Sequence, residues 1–362
     1  MEGMVKQEFW KGKNVLITGH TGFKGSWLCM LLKSLGANIS GFALNPPTNP
    51  NLYNLCKINT FVNTTIGDIR DLNSVKEKIE RVQPDIIIHM AAQPLVRLSY
   101  HDPVTTFQTN VMGTVNLFEA VRISSVKSVK VIVNVTTDKC YENKEWLWPY
   151  RENEPLGGYD PYSSSKACSE IVTSAYRNSF FNPLQQEFHQ VAIGTARAGN
   201  VIGGGDWAND RLIPDIINSI LEDKTIIIRS PDAIRPWQHV LEPLNGYLVL
   251  AQELYNNPNK TIGAWNFGPT ENDAKSVRWI VEQFCKKWKT SISFEIDRNP
   301  QPHEATYLKL DSSKARNLLG WTPVWNLEQT LDSIIDFALA FQKREDLIPL
   351  CEYQIKKYLQ EV

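Results

Sequence analysis

The chain has 362 residues, of which 42% are hydrophobic and 21% charged, and its formal net charge is −1. This balance gives no sign of the basic groove of a nucleic-acid-binding protein, and no apolar run is long enough to span a bilayer. The N-terminal residues contain no apolar stretch of signal-peptide length, and the six cysteines form no CxxC pair. We therefore expect a cytoplasmic protein without a metal site, in one large or two modest domains.

Short β-branched runs alternate with longer amphipathic stretches through the first 200 residues. Strands buried on both faces read as continuous apolar runs, which is typical of parallel pairing. A βαβαβ order predicts an α/β fold with a Rossmann-type, doubly wound parallel sheet, here over residues 1–200. The predicted strands are 14–19, 38–44, 61–67, 85–91, 129–135 and 190–197, and the predicted helices are 23–36, 72–83, 104–124 and 163–180.

The amino-acid composition changes after about residue 200, where Gly, Pro and Trp become frequent in segments such as "GNVIGGGDW" and "RPWQHVLEP". Segments of this kind form loops that shape a pocket. They alternate with short helical patterns at 212–223 and 276–288. The sequence therefore predicts a smaller substrate-binding lobe over residues 201–362, interleaved with the first domain.

A glycine-rich loop follows the first predicted strand and opens the first long helix. Gly19, Gly22 and Gly25 have the spacing GxxGxxG. Gly19 suits a tight turn, Gly22 lets a pyrophosphate approach the backbone, and Gly25 permits close helix–strand packing. Free N–H groups at the helix N-terminus favour an anion. The loop therefore predicts a dinucleotide-binding site.

The stretch after the second predicted strand leaves the choice between NAD and NADP open. A fold that prefers NAD usually has an acid about 20 residues after the glycines, to bind the ribose 2′-OH. Here the strand ends "GFALNPPTNP", with no acid and no Arg. Asn45 would not strongly repel a 2′-phosphate. Asp68 follows the third strand, where it would read the adenine amino group, and "AAQP" at 91–94 leaves space for the dinucleotide.

Tyr162 and Lys166 form a Y-x-x-x-K pattern on a predicted helix. This spacing places both side chains on one helix face. A phenol has a pKa of about 10, and a neighbouring ammonium lowers it. The pair would then take a proton from a sugar hydroxyl while hydride leaves the carbon. The pattern alone is weak because it also occurs on solvated helices, but the glycine loop upstream favours a catalytic role.

These two motifs resemble the extended short-chain dehydrogenase/reductase family, and the resemblance covers most of the chain. It implies NAD as the cofactor, a hydrogen bond from Thr137 to the reacting substrate oxygen, and a homodimer formed through a four-helix bundle of the helices 103–123 and 161–180. The cofactor-binding residues implied are Gly19, Thr21, Gly22, Phe23, Gly25, Asp68, Ile69, Ala91, Ala92, Gln93, Tyr162 and Lys166.

Asp138 and Lys139 follow Thr137 at the end of the fifth predicted strand. Family members that act as nucleotide-sugar 4,6-dehydratases usually carry Asp-Glu here. The strings "TTDKCYEN", "ARAGNVIGGGDWANDRLIPD" and "RPWQHVLEPLNGYL" resemble those dehydratases that act on CDP-glucose, in which Lys replaces Glu. The resemblance implies conversion of CDP-D-glucose to CDP-4-keto-6-deoxy-D-glucose and water, a reaction of deoxysugar biosynthesis for O-antigen lipopolysaccharide.

The dehydration requires two different proton transfers, which Asp138 and Lys139 could divide between them. A ketone at C4 acidifies the C5 proton, so one group must remove that proton while another protonates the C6 hydroxyl. Our hypothesis is that Lys139 is the base and Asp138 the acid, which requires an uncharged amine and a protonated carboxyl. The alternative is that the pair is merely a salt-bridged loop end.

The substrate's nucleotide is expected to contact arginines, which suit bidentate phosphate binding. Any single Arg is otherwise a surface charge. By resemblance, Asn200, Arg211 and Arg235 hold the diphosphate and ribose. The other residues expected to contact substrate are Arg97, Leu212, His239 and Tyr307, with His303 and Glu304 bordering the nucleotide. The choice of cytosine over other bases rests on the resemblance alone.

Two other functions remain open. A nucleotide-sugar 4-epimerase or decarboxylase of the same fold would use the glycine loop, Thr137, Tyr162 and Lys166 without needing an acid–base pair at 138–139. A non-catalytic NAD-binding regulator is the second alternative. Such proteins commonly lose the Tyr or the Lys, and both are present here.

Overall fold

The fold is built around a parallel β-sheet, in a computed structural model that describes residues 5–182, 189–289, 292–297, 299 and 307–362. The strands are β1 (Asn14–Thr18), β2 (Asn38–Ala43), β3 (Asn63–Ile66), β4 (Ile86–His89), β5 (Val131–Val135), β6 (Ala192–Arg197), β7 (Val201–Ile202), β8 (Ile226–Ile228), β9 (Ile234–Pro236), β10 (Gln238–His239), β11 (Gly263–Asn266), β12 (Ala274–Ser276) and β13 (Phe294–Ile296).

Helices flank the sheet and fill the C-terminal half. The α-helices are α1 (Gln7–Trp10), α2 (Phe23–Ser34), α3 (Leu52–Leu55), α4 (Leu72–Val82), α5 (Val96–His101), α6 (Pro103–Phe107), α7 (Gly113–Ile123), α8 (Pro161–Ser179), α9 (Leu212–Leu221), α10 (Leu241–Asn256), α11 (Pro258–Thr261), α12 (Val277–Trp288), α13 (Leu327–Gln342) and α14 (Leu347–Glu361). The wider turn Gln108–Met112 joins α6 to α7.

The seven strands of the main sheet run in the order β11-β6-β5-β4-β1-β2-β3. Every pair in it is parallel, with Val15 of β1 opposite Ile39 on one side and Ile86 on the other. All six predicted strands are present, which confirms the α/β prediction. From β1 the chain first builds the sheet outwards through β2 and β3, and then returns to the other side of β1 with β4. Ligands bind at the carboxyl ends of the strands beside such a switch point.

The sheet is covered on both faces. A large core cluster includes Trp27 of α2 and Tyr247 of α10, and a second includes Leu117 and Phe118 of α7 together with Ile79 of α4. Burial on both faces explains why β4 and β5 are entirely buried. The seventh strand, β11, comes from the C-terminal half of the chain, so the two halves share one sheet.

The C-terminal half also has a cluster of its own. It packs α9, α12 and α13 against β8 and includes Ile216, Phe284 and Ile334. This cluster holds the start of α9 and the end of β8 beside the carboxyl edge of the main sheet. No helix within the described ranges combines the length and apolar character needed to cross a membrane.

Candidate active site

A cavity of about 1300 Å³ runs along the carboxyl ends of the central strands. Its wall includes the glycine loop after β1, the residues after β4 and β5, the start of α8, and the first turn of α9. It therefore joins the predicted cofactor site to the predicted substrate site in one continuous space.

The glycine loop has the shape that a pyrophosphate requires. Gly19 has a φ of 78°, and a Cβ there would lie 2.8 Å from the backbone N of Ala91. At Gly25 a Cβ would overlap the carbonyl oxygen of Gly19. Gly22 is different, because its Cβ would meet nothing closer than that oxygen at 3.5 Å. Gly22 caps α2 without a side-chain hydrogen bond, so the helix start suits an anion.

The other predicted cofactor residues also line the cavity, including Thr21, Phe23, Ile69, Ala92 and Gln93. The Thr21 hydroxyl donates to the Leu44 carbonyl at 2.8 Å, which joins the loop to the end of β2. Asp68 is already bound by Arg70 at 2.6 Å, and this contact lowers the pKa of its carboxyl. The structure therefore places Asp68 at the cavity with a cationic partner that the sequence did not suggest.

Thr137, Asp138 and Lys139 form a tight turn directly after β5 and line the cavity. The Thr137 hydroxyl donates to Asp138 Oδ1 at 3.0 Å. Asp138 is 1% exposed, and its Oδ2 has no hydrogen-bond partner among the described residues. Lys139 is half-buried, and its ammonium makes no ion pair with any part of the chain that the structure describes. The arrangement differs from a salt-bridged loop end.

Gly199 makes room for the Asp138 carboxyl. A Cβ at Gly199 would overlap Asp138 Oδ2 and its carboxyl carbon. The φ of Gly199 is outside the left-handed region, so space is the reason that a glycine is needed here. No role was predicted for Gly199, because nothing in the sequence shows that it lies against residue 138.

Tyr162 and Lys166 lie together at the start of α8, as predicted, and both are buried. The Lys166 ammonium donates to the Val135 carbonyl at 3.1 Å, which fixes it beside the end of β5. Burial raises the pKa of Tyr162 to about 12, while a hydrogen bond with Thr137 lowers it. The positive charge that lowers the pKa of Tyr162 is that of Arg211 and not, as expected, that of Lys166, and desolvation of the phenol outweighs it.

Lys166 is itself affected by burial, which lowers its pKa to about 8, while the negative charge of Glu170 raises it. Glu170 lies one turn further along α8 and forms a buried ion pair with Arg197 at 2.8 Å. The same carboxylate accepts a short hydrogen bond from the Thr136 hydroxyl. Arg197 donates to the Tyr141 hydroxyl at 2.8 Å. The ion pair therefore joins Thr136 and Tyr141, on either side of the turn after β5, to α8 and β6.

Lys24 also reaches the cavity, although no role was predicted for it. Its ammonium donates to the Tyr247 hydroxyl at 2.9 Å. Burial lowers the pKa of Lys24 to about 7, and the positive charges of Lys166 and Arg211 lower it further. In the sequence, the only indication that Lys24 lies at the cavity was its position between Gly22 and Gly25 of the glycine loop.

The structure brings most of the predicted substrate residues to one region of the cavity wall. These are Arg97, Asn200, Arg211, Leu212 and Arg235. Arg211 pairs with Asp206 at 3.1 Å and is close enough to Tyr162 to influence its pKa. The predicted substrate residue Tyr307 does not line the cavity; its backbone N–H donates at 2.9 Å to Glu145, which does. His303 and Glu304 lie outside the described residues.

The structure does not bring His239 to the cavity, which corrects the prediction. Its ring is fully buried, with ring centroids 6.0 Å from Trp27 and 4.8 Å from Trp325. Its Nδ1 accepts from the backbone N–H of Leu241 at 3.3 Å. Burial lowers the pKa of His239 to about 3, so the ring is a neutral part of the core. Within the described ranges, no group of His, Cys, Asp and Glu side chains is placed to hold a metal.

Comparison with known proteins places this geometry among nucleotide-sugar enzymes. The family model of GDP-mannose 4,6-dehydratase matches residues 16–334. The chain is 52% identical to the CDP-glucose 4,6-dehydratase of Salmonella typhimurium, over 98% of the chain and 99% of that protein. It is 26% identical to the dTDP-glucose 4,6-dehydratase of Xanthomonas campestris, over 90% of the chain and 93% of that protein.

Solved structures share the fold at lower identity. A dTDP-glucose 4,6-dehydratase from Streptomyces venezuelae, solved with NAD, matches with a TM-score of 0.76 and 22% identity, over 93% of this chain and 99% of that one. A UDP-glucose 4-epimerase from Stenotrophomonas maltophila, also solved with NAD, gives 0.79 and 20%, over 92% and 99%. At such identities the likeness concerns the fold alone.

Proposed function

The chain belongs to the GDP-mannose 4,6-dehydratase family, and on this basis we propose that it is an NAD-dependent hydro-lyase that converts CDP-D-glucose to CDP-4-keto-6-deoxy-D-glucose and water. The observation that carries the proposal is the placement of Asp138 and Lys139 in the cavity, in the same turn as Thr137 and beside Tyr162. The identity of 52% to a CDP-glucose 4,6-dehydratase supports the choice of substrate.

The residues divide the reaction between them. Tyr162 takes the proton from the C4 hydroxyl, and Thr137 holds the same oxygen by a hydrogen bond. With C4 as a ketone, Lys139 removes the acidified C5 proton while Asp138 protonates the departing C6 hydroxyl. Asp138 Oδ2 is buried and makes no hydrogen bond with the described residues, which leaves its hydrogen-bonding capacity for the substrate.

The cofactor site fits NAD because Gly22 faces open space at the start of α2 and the cavity continues to the sugar site. NAD, when bound, would supply the hydride acceptor for C4 and the hydride donor for C6, and its positive ring would lower the pKa of the nearby phenol. Lys139, protonated by its earlier step, gives a proton back to C5 as hydride reaches C6, which completes the 4-keto-6-deoxy sugar. The ammonium of Lys166 adds positive charge on the same side, held by the carbonyl of Val135. Residues 1–200 thus carry the cofactor and the catalytic groups.

The C-terminal half, residues 201–362, mainly binds the nucleotide. Arg211 and Arg235 contact the diphosphate in this proposal, with Asn200 and Leu212 beside them and Arg97 towards the sugar. Their shared position on the cavity wall supports the assignment. Guanidinium groups match phosphate oxygens in bidentate geometry.

The active protein is a cytoplasmic homodimer in this proposal. The helices that would form the four-helix bundle carry exposed apolar side chains, which a second copy would cover. Val104 is 64% exposed, Met112 49% and Ile171 57%. The absence of a candidate membrane-spanning helix among the described residues agrees with a protein that works in solution.

A 4-epimerase or decarboxylase of the same fold is the alternative enzyme. It would leave Asp138 and Lys139 without a task, although both line the cavity. A non-catalytic regulator would have no need of Tyr162 and Lys166 together.

The test is incubation with CDP-, dTDP-, UDP- and GDP-glucose without added reductant, followed by product mass. We expect one water to be lost from the CDP sugar alone, because hydride returns to the molecule that supplied it. A sugar of unchanged mass but inverted C4 in its NMR spectrum would favour the epimerase, and an unchanged NMR spectrum for all four sugars would favour the regulator. Loss of carbon dioxide from the corresponding UDP-uronic acid, tested in parallel, would favour a decarboxylase.

A further inference from the structure

The cavity continues past Arg211, away from the catalytic turn. Arg211 caps the N-terminus of α9 and lies close enough to Tyr162 to influence its pKa. Asp215 follows one helical turn later and also lines the cavity. At about 1.5 Å of rise per residue, it stands roughly 6 Å further along the helix. A nucleotide whose diphosphate lies at Arg211 would therefore extend its base towards Asp215.

Arg229 faces Asp215 from the end of β8. Its Nη1 donates to Asp210 Oδ1 at 2.7 Å and its Nη2 to the Asp210 carbonyl at 3.2 Å. These contacts orient the guanidinium, and the rest of its N–H groups make no hydrogen bond with the described residues. The Arg229 guanidinium is thus fixed in orientation and has N–H groups left to donate to a ligand at this end of the cavity.

The Asp215 carboxylate lies 3.7 Å from Arg229 Nη2, an ion-pair contact longer than a hydrogen bond. No other side chain in the described ranges forms an ion pair or a hydrogen bond with this carboxylate, so its oxygens can accept from a ligand. Burial raises the pKa of Asp215 to about 6, and the charge of Arg229 opposes that change. The group is an anion above that pH.

The surrounding wall suits a flat aromatic ring. Ile228 (which precedes Arg229), Trp237 and Val277 are apolar residues of the same cavity wall, although Ile228 and Trp237 are only 1% and 4% exposed. An acceptor and a donor therefore stand side by side next to an apolar face. This is the arrangement that reads the polar edge of a heterocyclic base.

The two groups match cytosine in particular. Cytosine presents an N4 amino donor beside two acceptors, N3 and O2, whereas uracil and thymine present an O4 acceptor and an N3–H donor. A carboxylate and a guanidinium side by side would meet cytosine with complementary atoms. They would meet uracil with an acceptor facing an acceptor and a donor facing a donor, and leaving such groups unpaired gives strong discrimination.

We infer that Asp215 and Arg229 select cytosine as the base of the substrate, with Asp215 accepting from the N4 amino group and Arg229 donating to N3. This inference rests on the proposed function, because it supplies the reason for preferring a CDP-sugar. Asp210 is then a positioning residue that acts through Arg229.

The test is Asp215→Asn in the NAD-loaded enzyme, with the dissociation constants of CDP and UDP measured by calorimetry and kcat/KM measured for CDP- and UDP-glucose. An Asn side chain can turn its amide N–H towards O4 of uracil, so it accepts either base. We expect the preference for CDP over UDP to fall by about ten- to a hundredfold. The loss on CDP-glucose should appear in KM, since the base is remote from the bonds that change.

Asp210→Asn is the matched control. It removes the same charge from the same cluster but leaves the acceptor at residue 215 in place, and the Asp210 carbonyl still holds Arg229. Because Asp210 also pairs with Arg97 at 3.4 Å, the variant loosens a second substrate-binding arginine, which affects both nucleotides alike. It should weaken binding of both nucleotides and keep most of the preference. An unchanged preference in Asp215→Asn, or an equal loss of preference in both variants, would overturn the inference.

The two proposals fail in different ways. A wild-type enzyme that turns over none of the four sugars contradicts the proposed function, and the CDP and UDP dissociation constants still test the base preference. A wild-type enzyme that dehydrates CDP-glucose while Asp215→Asn keeps its preference contradicts only the inference about Asp215 and Arg229.

Discussion

Replacing Gly199 by Ala is expected to lower kcat by about a hundredfold or more, because the new methyl group would occupy the position of the Asp138 carboxyl. Asp138 is 1% exposed, and the atoms that would clash are its carboxyl group itself, so the carboxyl must leave its place at the end of β5. Displacing a general acid removes a contribution of roughly 10²–10⁴ in rate. The added volume costs about 1–3 kcal/mol of stability as well.

The diagnostic measurement separates C4 oxidation from water elimination. The three atoms nearest to a Cβ at residue 199 all belong to Asp138 and none to Tyr162, so the variant should still generate absorbance at 340 nm when mixed with CDP-glucose, while product formation is lost. Gly157→Ala is the matched control, since its Cβ would lie at an ordinary 3.4 Å from the Glu142 side chain. Wild-type turnover by Gly199→Ala would show that the Asp138 carboxyl is not needed where the structure places it.

The second large effect is expected for Glu170→Gln. The change leaves the Arg197 guanidinium buried without its counter-charge, since both side chains are 4% exposed. Removing one partner of a buried ion pair costs about 3–5 kcal/mol of the free energy of unfolding. Chemical denaturation of the variant and the wild type measures this loss directly.

The same variant also tests a link to catalysis through the pH profile. The charge of Glu170 raises the pKa of Lys166, which stands at about 8 because burial lowers it. Without that charge the pKa of Lys166 falls further, and its ammonium is lost at lower pH. The basic limb of kcat should therefore move to lower pH.

Thr195→Val is the control for a purely structural effect. It removes the hydrogen bond from Thr195 to Glu170 at 2.7 Å but keeps the ion pair and its charge. It should cost about 1 kcal/mol of stability and leave the basic limb in place. An unmoved limb in Glu170→Gln would mean that the ion pair only supports the fold.

The main sheet could be predicted from sequence because its strands are buried on both faces. Short continuous apolar runs such as "VIVNV", rich in β-branched residues, are typical of such strands, and all six predicted strands lie in the main sheet. The seventh strand, β11, was missed because Gly263–Asn266 is short and lies far along the chain. The wide turn at Gln108–Met112 was read as helix, because its side-chain pattern continues the helical period.

The candidate site could be predicted only where its residues are neighbours in sequence. The turn at Thr137, Asp138 and Lys139 and the pair Tyr162 and Lys166 are of this kind. The contacts of Gly199 with Asp138 and of Arg229 with Asp215 join distant segments, and no spacing rule reveals them. His239 was misplaced for the same reason, because Trp325, which packs against it, belongs to a later segment.

The electrostatics of Tyr162 also differed from expectation. The sequence suggested a phenol with a pKa lowered by Lys166, but the helix face that brings them together is also buried. Burial disfavours the charged form of each group, raising the pKa of Tyr162 and lowering that of Lys166.

Deuterium incorporation at C5 of the sugar tests the central claim, that Asp138 and Lys139 carry out water elimination, most directly. Wild-type enzyme and Lys139→Met are incubated with CDP-glucose in deuterated water, and the product is followed by NMR. Lys144→Met is the control, because Lys144 is an exposed lysine in the same loop. We predict deuterium at C5 with wild type and Lys144→Met, and a fall of roughly 10²–10⁴ in both turnover and exchange with Lys139→Met. Undiminished turnover and exchange in Lys139→Met would contradict the account.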